Sequence, residues 1–219
     1  MKALLLNQYY SVEKSFKFYL VLSVVITAIL LFIQNELTFR FAGITPVLFI
    51  VQAAFEGLKL DALSGWNKYM NTLPLKRSHI VKSQYLFYFI MVLIGSVVAI
   101  IVFMLSELFI GDILTIYTIT WLMNGGGLAL FLGCFIFPLT YHLGVEKSDI
   151  IQIISVIAGI VVFFLSSALF ELFWKHVSSD PILSVNYEVL FSALFWIVAL
   201  VFFLVSYTIA LQIYKRKEF

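Results

Sequence analysis

Few side chains in this sequence are equipped for covalent or acid–base chemistry. The three histidines, His79, His142 and His176, fall in polar loops between apolar runs, and the topology argued below splits them across two faces of a membrane, so they do not form a shared metal site. Cys134 is the one cysteine and lies inside an apolar run, which excludes an internal disulfide and a cysteine metal site. No G-x-x-x-x-G-K-[ST], H-E-x-x-H or G-x-S-x-G motif occurs, so the chain does not hold ATP through a P-loop and carries no catalytic residue or cofactor site recognisable by motif. Ionisable groups are absent from the middle of every apolar run, where ion-coupled carriers keep one; Glu56 comes nearest, at a run's end.

The remaining constellations bind rather than react. Trp66, Tyr69, Met70 and Leu73 stand at i, i+3, i+4 and i+7 within the polar stretch Glu56 to Lys82, which predicts one apolar face two turns long. Asp61 or Ser64 can cap that helix, Pro74 terminates it, and Ser78 can cap the element that follows. A short face with a sharp stop suits docking on a protein. Resting on lipid headgroups, where Trp and Tyr are also at home, is the competing reading. Asn124-Gly125-Gly126-Gly127 interrupts a later apolar run, with Gly133 beyond it. Each Gly costs about 1 kcal/mol of helix propensity, so the run has a purpose: close helix packing, or a hinge bordering a substrate route. Asn124 is expected to face a neighbouring helix, because lipid would leave its amide unsatisfied. The 23 Phe and 11 Tyr suit packing and lipid contact, and a Phe-lined cavity for apolar cargo is compatible with them.

The elements that position these groups follow from hydropathy. The chain has 219 residues, 63% of them hydrophobic and 12% charged, with a mean hydropathy of +1.06. A soluble domain carries about a quarter charged residues, so lipid is the solvent here. Six apolar runs approach the roughly 20 residues a helix needs to cross a bilayer: Phe16 to Ile33, Phe41 to Phe55, Gln84 to Leu108, Leu114 to Tyr141, Ile150 to Leu172 and Val189 to Ile213. The second is short, begins near Pro46, and is expected to run on past Glu56. Met1 to Ser15, with Leu4, Leu5, Tyr9 and Tyr10 opposite Lys2, Asn7, Glu13 and Lys14, predicts an amino-terminal interfacial helix; the alternative is the start of span 1. The expectation is one all-α, polytopic domain over 1–219, without repeats or linkers. With both termini inside a plasma membrane, every Lys and Arg but Arg40 and Lys175 is cytoplasmic, while the acidic residues divide evenly, which is the asymmetry of the positive-inside rule.

With these features the chain resembles the permease subunit of an ABC-2-type ABC transporter. The resemblance rests on the amphipathic start, the six spans, and the loop bearing Trp66, Tyr69 and Thr72-Leu73-Pro74-Leu75-Lys76-Arg77. Small Gram-positive permeases of this type carry a similar W-x-x-Y-x-x-x-L-P-[LV]-[KRS]-R stretch, then a span opening like Ile80-Val81-Lys82-Ser83. Within the family it is most similar to the branch that includes exporters of phenol-soluble modulins and antimicrobial peptides.

The resemblance implies a bacterial plasma-membrane exporter of an amphipathic or hydrophobic cargo, a peptide foremost. A separate ATPase binds ATP and Mg, and a second permease chain, identical or not, pairs around the cargo path. The loop 56–82 becomes a coupling helix gripped through Trp66, Tyr69, Met70, Leu73 and Pro74, with Lys76 and Arg77 on the rim, and Glu146 and Lys147 form a smaller contact. Gln52 and Gln152 are cargo-path candidates beside Asn124 and Gly125 to Gly127. No nucleic acid is implied. Two other readings stand against this one. A membrane immunity protein could sequester a peptide without transport, and an intramembrane enzyme would need paired Glu and His near the membrane core, which the sequence does not offer.

Overall fold

The computed structural model describes residues 2–65, 77–111, 113–177 and 186–216. Among them, six helices are long and apolar enough to cross a membrane: α1 Lys2–Phe32, α2 Glu36–Leu63, α3 Arg77–Ile110, α4 Ile116–Leu143, α5 Ser148–Val177 and α6 Tyr187–Arg216. A short 3-10 turn, Val145–Lys147, joins α4 to α5. The longest helix has 34 residues; at about 1.5 Å each it reaches roughly 50 Å and overshoots a ~30 Å hydrocarbon core. The helix ends therefore carry residues out past the apolar zone.

Local chemistry explains where the helices begin. Asn35 Oδ1 accepts from the Leu37 N–H at 3.2 Å while Thr38 Oγ1 accepts from the Asn35 N–H at 3.2 Å, a reciprocal cap that starts α2 before its apolar run. Pro46 is consequently inside α2 rather than near its start, as the sequence suggested. Thr115 and Thr118 form a capping box at the head of α4. Gly144, at φ 87°, closes that helix by donating its N–H to Thr140 O at 3.0 Å. At the same end as Asn35, Glu107 Oε2 accepts from the N–H groups of Ile113 and Leu114, folding the α3–α4 turn back on α3.

α1 runs unbroken from Lys2, so residues 2–15 are the first turns of the helix that bears span 1. Leu5, Tyr9, Val12 and Phe16 fall at helical spacing and pack on the main core, whereas Tyr10 points outward. A stripe in register with the span finds protein to bury against, and the helix has no reason to break.

α4 is the most buried span, packed by α2, α3, α5 and α6, and α2 is next, held by α1, α3 and α4. α1 and α5 bury least. The core is aromatic: Tyr85 stacks on Phe137 at 4.3 Å, and Tyr88 meets Phe137 edge-on at 5.4 Å. Both buried phenols are satisfied, Tyr85 by Ser206 Oγ at 2.9 Å and Tyr88 by donating to the Ala129 carbonyl.

Candidate functional site

The 56–82 stretch begins as helix. α2 continues through Glu56 to Leu63, as expected, and Ser64 donates its N–H to Leu60 O at 2.9 Å before Gly65 turns the chain at φ 72°. Trp66, Tyr69, Met70, Leu73, Pro74 and Lys76 lie outside the described residues. Asp61 does not cap a following helix; it sits in the last turns of α2 with its side chain buried. Ser78 is likewise inside α3, which starts by Arg77, rather than before it. In both places a long helix absorbed what read as a boundary residue.

The two bases of this loop are tied to each other. Tyr141 of α4 donates its hydroxyl to Gln84 Oε1 on α3, and Gln84 and the buried Asp61 of α2 line one small space. Beside them, Gln8 of α1 donates to Ser83 Oγ at 3.5 Å. The Arg77 guanidinium reaches the last turn of α6, donating to Lys215 O at 3.0 Å and Tyr214 O at 3.5 Å, where a cation suits the carbonyl end of the helix dipole. These contacts connect the bases of the loop to α1, α4 and α6 as well. Sequence reasoning missed Asp61 and Gln84 as neighbours, although a signal was present: Ala54, Gly57, Leu58 and Asp61 share one helical face, and all are buried.

Glu146 and Lys147 are exposed on the 3-10 turn, at the same end of the bundle. Next to them Lys59 Nζ pairs with Asp149 Oδ1 at 2.9 Å, joining the head of α5 to the extension of α2. That pair is exposed and contributes at most about 1 kcal/mol, but it fixes the 144–149 turn beside the base of the longer loop. Deeper in, Gln52 Nε2 donates to Gln152 Oε1 at 3.1 Å, bridging α2 and α5. The two glutamines chosen separately in sequence thus meet, and each satisfies the other where lipid would not.

Asn124 and its glycines sit inside an unbroken α4. A Cβ on Gly125 would stand 2.8 Å from Gly43 O of α2, one on Gly126 2.7 Å from the Trp196 ring, and one on Gly127 2.6 Å from the Phe195 ring. Trp196 also donates its indole N–H to Met123 O at 2.8 Å. The run is a bed for α2 on one side and α6 on the other. Asn124 is buried as expected, yet its Oδ1 has no partner among the described residues. A groove of about 740 Å³ lies among the described residues of α4, α5 and α6, lined by Phe131, Phe135, Phe170, Phe195 and Phe202 among others. The three histidines end helices rather than occupying loops, and no metal-holding group of His, Cys, Asp or Glu occurs among the described residues.

Comparison with known proteins assigns this arrangement. A family model described as ABC-2 family transporter protein matches residues 3–215. The chain belongs to the ABC-2 transporter family. No curated protein and no solved structure matches it. As an ABC-2 permease it is a multi-pass membrane component of an ABC transporter and not itself an enzyme, and membership implies an ABC ATPase partner in general. The permease's clustering of the 56–65, 77–85 and 144–149 segments at one end of the bundle is the geometry that such a partner can address.

Proposed function

We propose that this permease exports an amphipathic or hydrophobic cargo, a peptide foremost, with a separate ATPase docked on the 56–82 loop and the 144–149 turn at the cytoplasmic face, and with a second permease chain completing the path. The observation that carries this reading is the cross-bracing at the loop's base, where Tyr141 of α4 holds Gln84 of α3 beside the buried Asp61 of α2 and Gln8 of α1 donates to Ser83 of α3. A connector needed only to link two spans has no use for a base braced against α1, α4 and α6. A docking lever does, since closure of two ATPase subunits must shift a packed bundle between discrete states to move cargo. The Phe-lined groove and the scarcity of charge in the spans suit an apolar or amphipathic cargo rather than an ion.

The test is assembly with the cognate ATPase. Trp66→Ala with Tyr69→Ala is expected to abolish co-purification or lower coupled ATPase activity by an order of magnitude or more, since buried aromatics dominate interfaces at about 2 kcal/mol or more each. Retention of both complex formation and coupled turnover overturns the coupling assignment.

A further inference from the structure

Asp61 is 4% exposed, as buried as the apolar residues around it. No ion pair involves it among the described residues. It also stands in the last turns of α2, where the helix dipole presents its negative end and an anion is disfavoured. An isolated buried carboxylate is costly unless it is paired with a cation or neutralised.

The surroundings show what is missing. Gln84, 5% exposed, spends its carbonyl on Tyr141, which leaves its amide N–H as the donor it can offer to the space it shares with Asp61. Gln8, also 5% exposed, gives its amide to Ser83 Oγ, while its Oε1 has no partner among the described residues. Gln8, Asp61 and Gln84 line one small space of about 10 Å³, walled otherwise by Ala54, Gly57, Leu58, Phe87 and Phe137. Two acceptor-bearing side chains and one donor-bearing amide thus share a space the size of a single water. One more hydrogen satisfies the set.

We propose that Asp61 is a proton-binding site that latches α1 to the base of the 56–82 loop. The carboxyl takes one proton from water, accepts from Gln84 Nε2, and donates across the small space toward Gln8 Oε1. Loss of the proton leaves a buried anion facing a carbonyl oxygen and releases α1 from α2 and α3. The other groups nearby leave Asp61 to itself. On α2, Lys59 is engaged with Asp149 and Glu56 with Tyr19. On α3, Arg77 is engaged with α6 carbonyls, and His79 and Lys82 are exposed. On α1, Lys14 is exposed and Glu13 pairs with Lys17. From α4 and α6 the titratable groups are the phenols of Tyr141 and Tyr214, 5.4 Å apart ring to ring.

The test uses the permease chain alone in detergent and does not depend on the ATPase reading. The folded chain holds one proton more than the unfolded chain, so stability falls as pH rises. Between about pH 4 and about pH 6, the interval over which burial raises the Asp61 carboxyl, the wild-type unfolding midpoint is expected to drop by about 5 °C. Asp61→Asn supplies a permanent N–H donor and keeps an acceptor, so its midpoint should match the wild-type low-pH value and lose that component of the slope. A variant destabilised at every pH points to a cationic partner for the carboxylate and overturns the proposal, as does an unchanged slope. The infrared spectrum of the wild type decides independently of any variant's folding. At about pH 5, where an exposed carboxyl is ionised, it should contain the C=O stretch of a protonated carboxyl that shifts with isotope-labelled aspartate, and absence of that band overturns the proposal.

Discussion

Arg77 shows how one side chain can be claimed by two surfaces. The family resemblance places it on the rim of an ATPase contact, while its guanidinium donates to the carbonyls of Tyr214 and Lys215. Carbonyls at a helix end have no intrahelical donor, so this contact closes the last turn of α6. Arg77→Ala is expected to fray that turn, costing about 1 kcal/mol, and hydrogen exchange across residues 210–216 should rise by about fivefold. Unchanged exchange there would mean that the side chain serves only a partner. Tyr141→Phe probes the deeper network: it strips the hydroxyl donor from the buried Gln84 carbonyl, and an unsatisfied buried acceptor costs about 1–3 kcal/mol. Thermal unfolding of the purified chain measures that loss, and a variant as stable as the wild type would show that Gln84 finds another donor.

Between elements, the decisive contacts are glycines, and magnitudes settle which effect wins. Replacing a helical Gly by Ala gains about 1 kcal/mol of propensity, while overpacking a close contact costs about 1–3 kcal/mol. At Gly125 the added methyl meets the Gly43 carbonyl oxygen and Ile44 Cα, backbone that cannot turn aside. At Gly159 it meets the end of Leu132 at 3.0 Å, which can. Gly125→Ala should therefore lower the unfolding midpoint while Gly159→Ala leaves it unchanged or raises it; equal effects would deny the close approach of α2 and α4. This contrast also marks how far the sequence could be read. The six spans were legible because each needs only its own apolar run, and α2's passage beyond Glu56 followed from its short run. The reach of α1 as one helix from Lys2 was not, since Tyr9 and Val12 reveal their burial only when α2 and α3 are in place. Nor was the meeting of Asp61 with Gln84 at one small space, or the pairing of Gln52 with Gln152, because side chains far apart in sequence are matched by packing geometry that local periodicity does not contain.

At the scale of the whole molecule, the six helices alternate in direction, so one observation of sidedness orients every segment. Residues 56–65, 77–85 and 144–149 share an end with the start of α1 and the close of α6, and Glu36, Glu107 and Glu188 share the other. The charge distribution predicts that the first end is inside, because Lys and Arg resist translocation far more than Asp and Glu do. Cysteines introduced singly at Glu146 and Glu36 test this in intact cells. Glu146→Cys should react with a membrane-impermeant thiol reagent only after the membrane is opened, and Glu36→Cys without opening. Cys134 is buried in the core and supplies little background. The reverse pattern would invert the protein and leave the fold intact, and with it would go the ATPase reading, since a cytosolic ATPase can grip only a loop on its own side. Reactivity of both positions from outside would remove a crossing, and α2, with Pro46 inside it, is the helix that would then fail to span. The expected pattern alone puts the braced loop base and the 144–149 turn where ATP is available, which is what coupling through this end of the bundle requires.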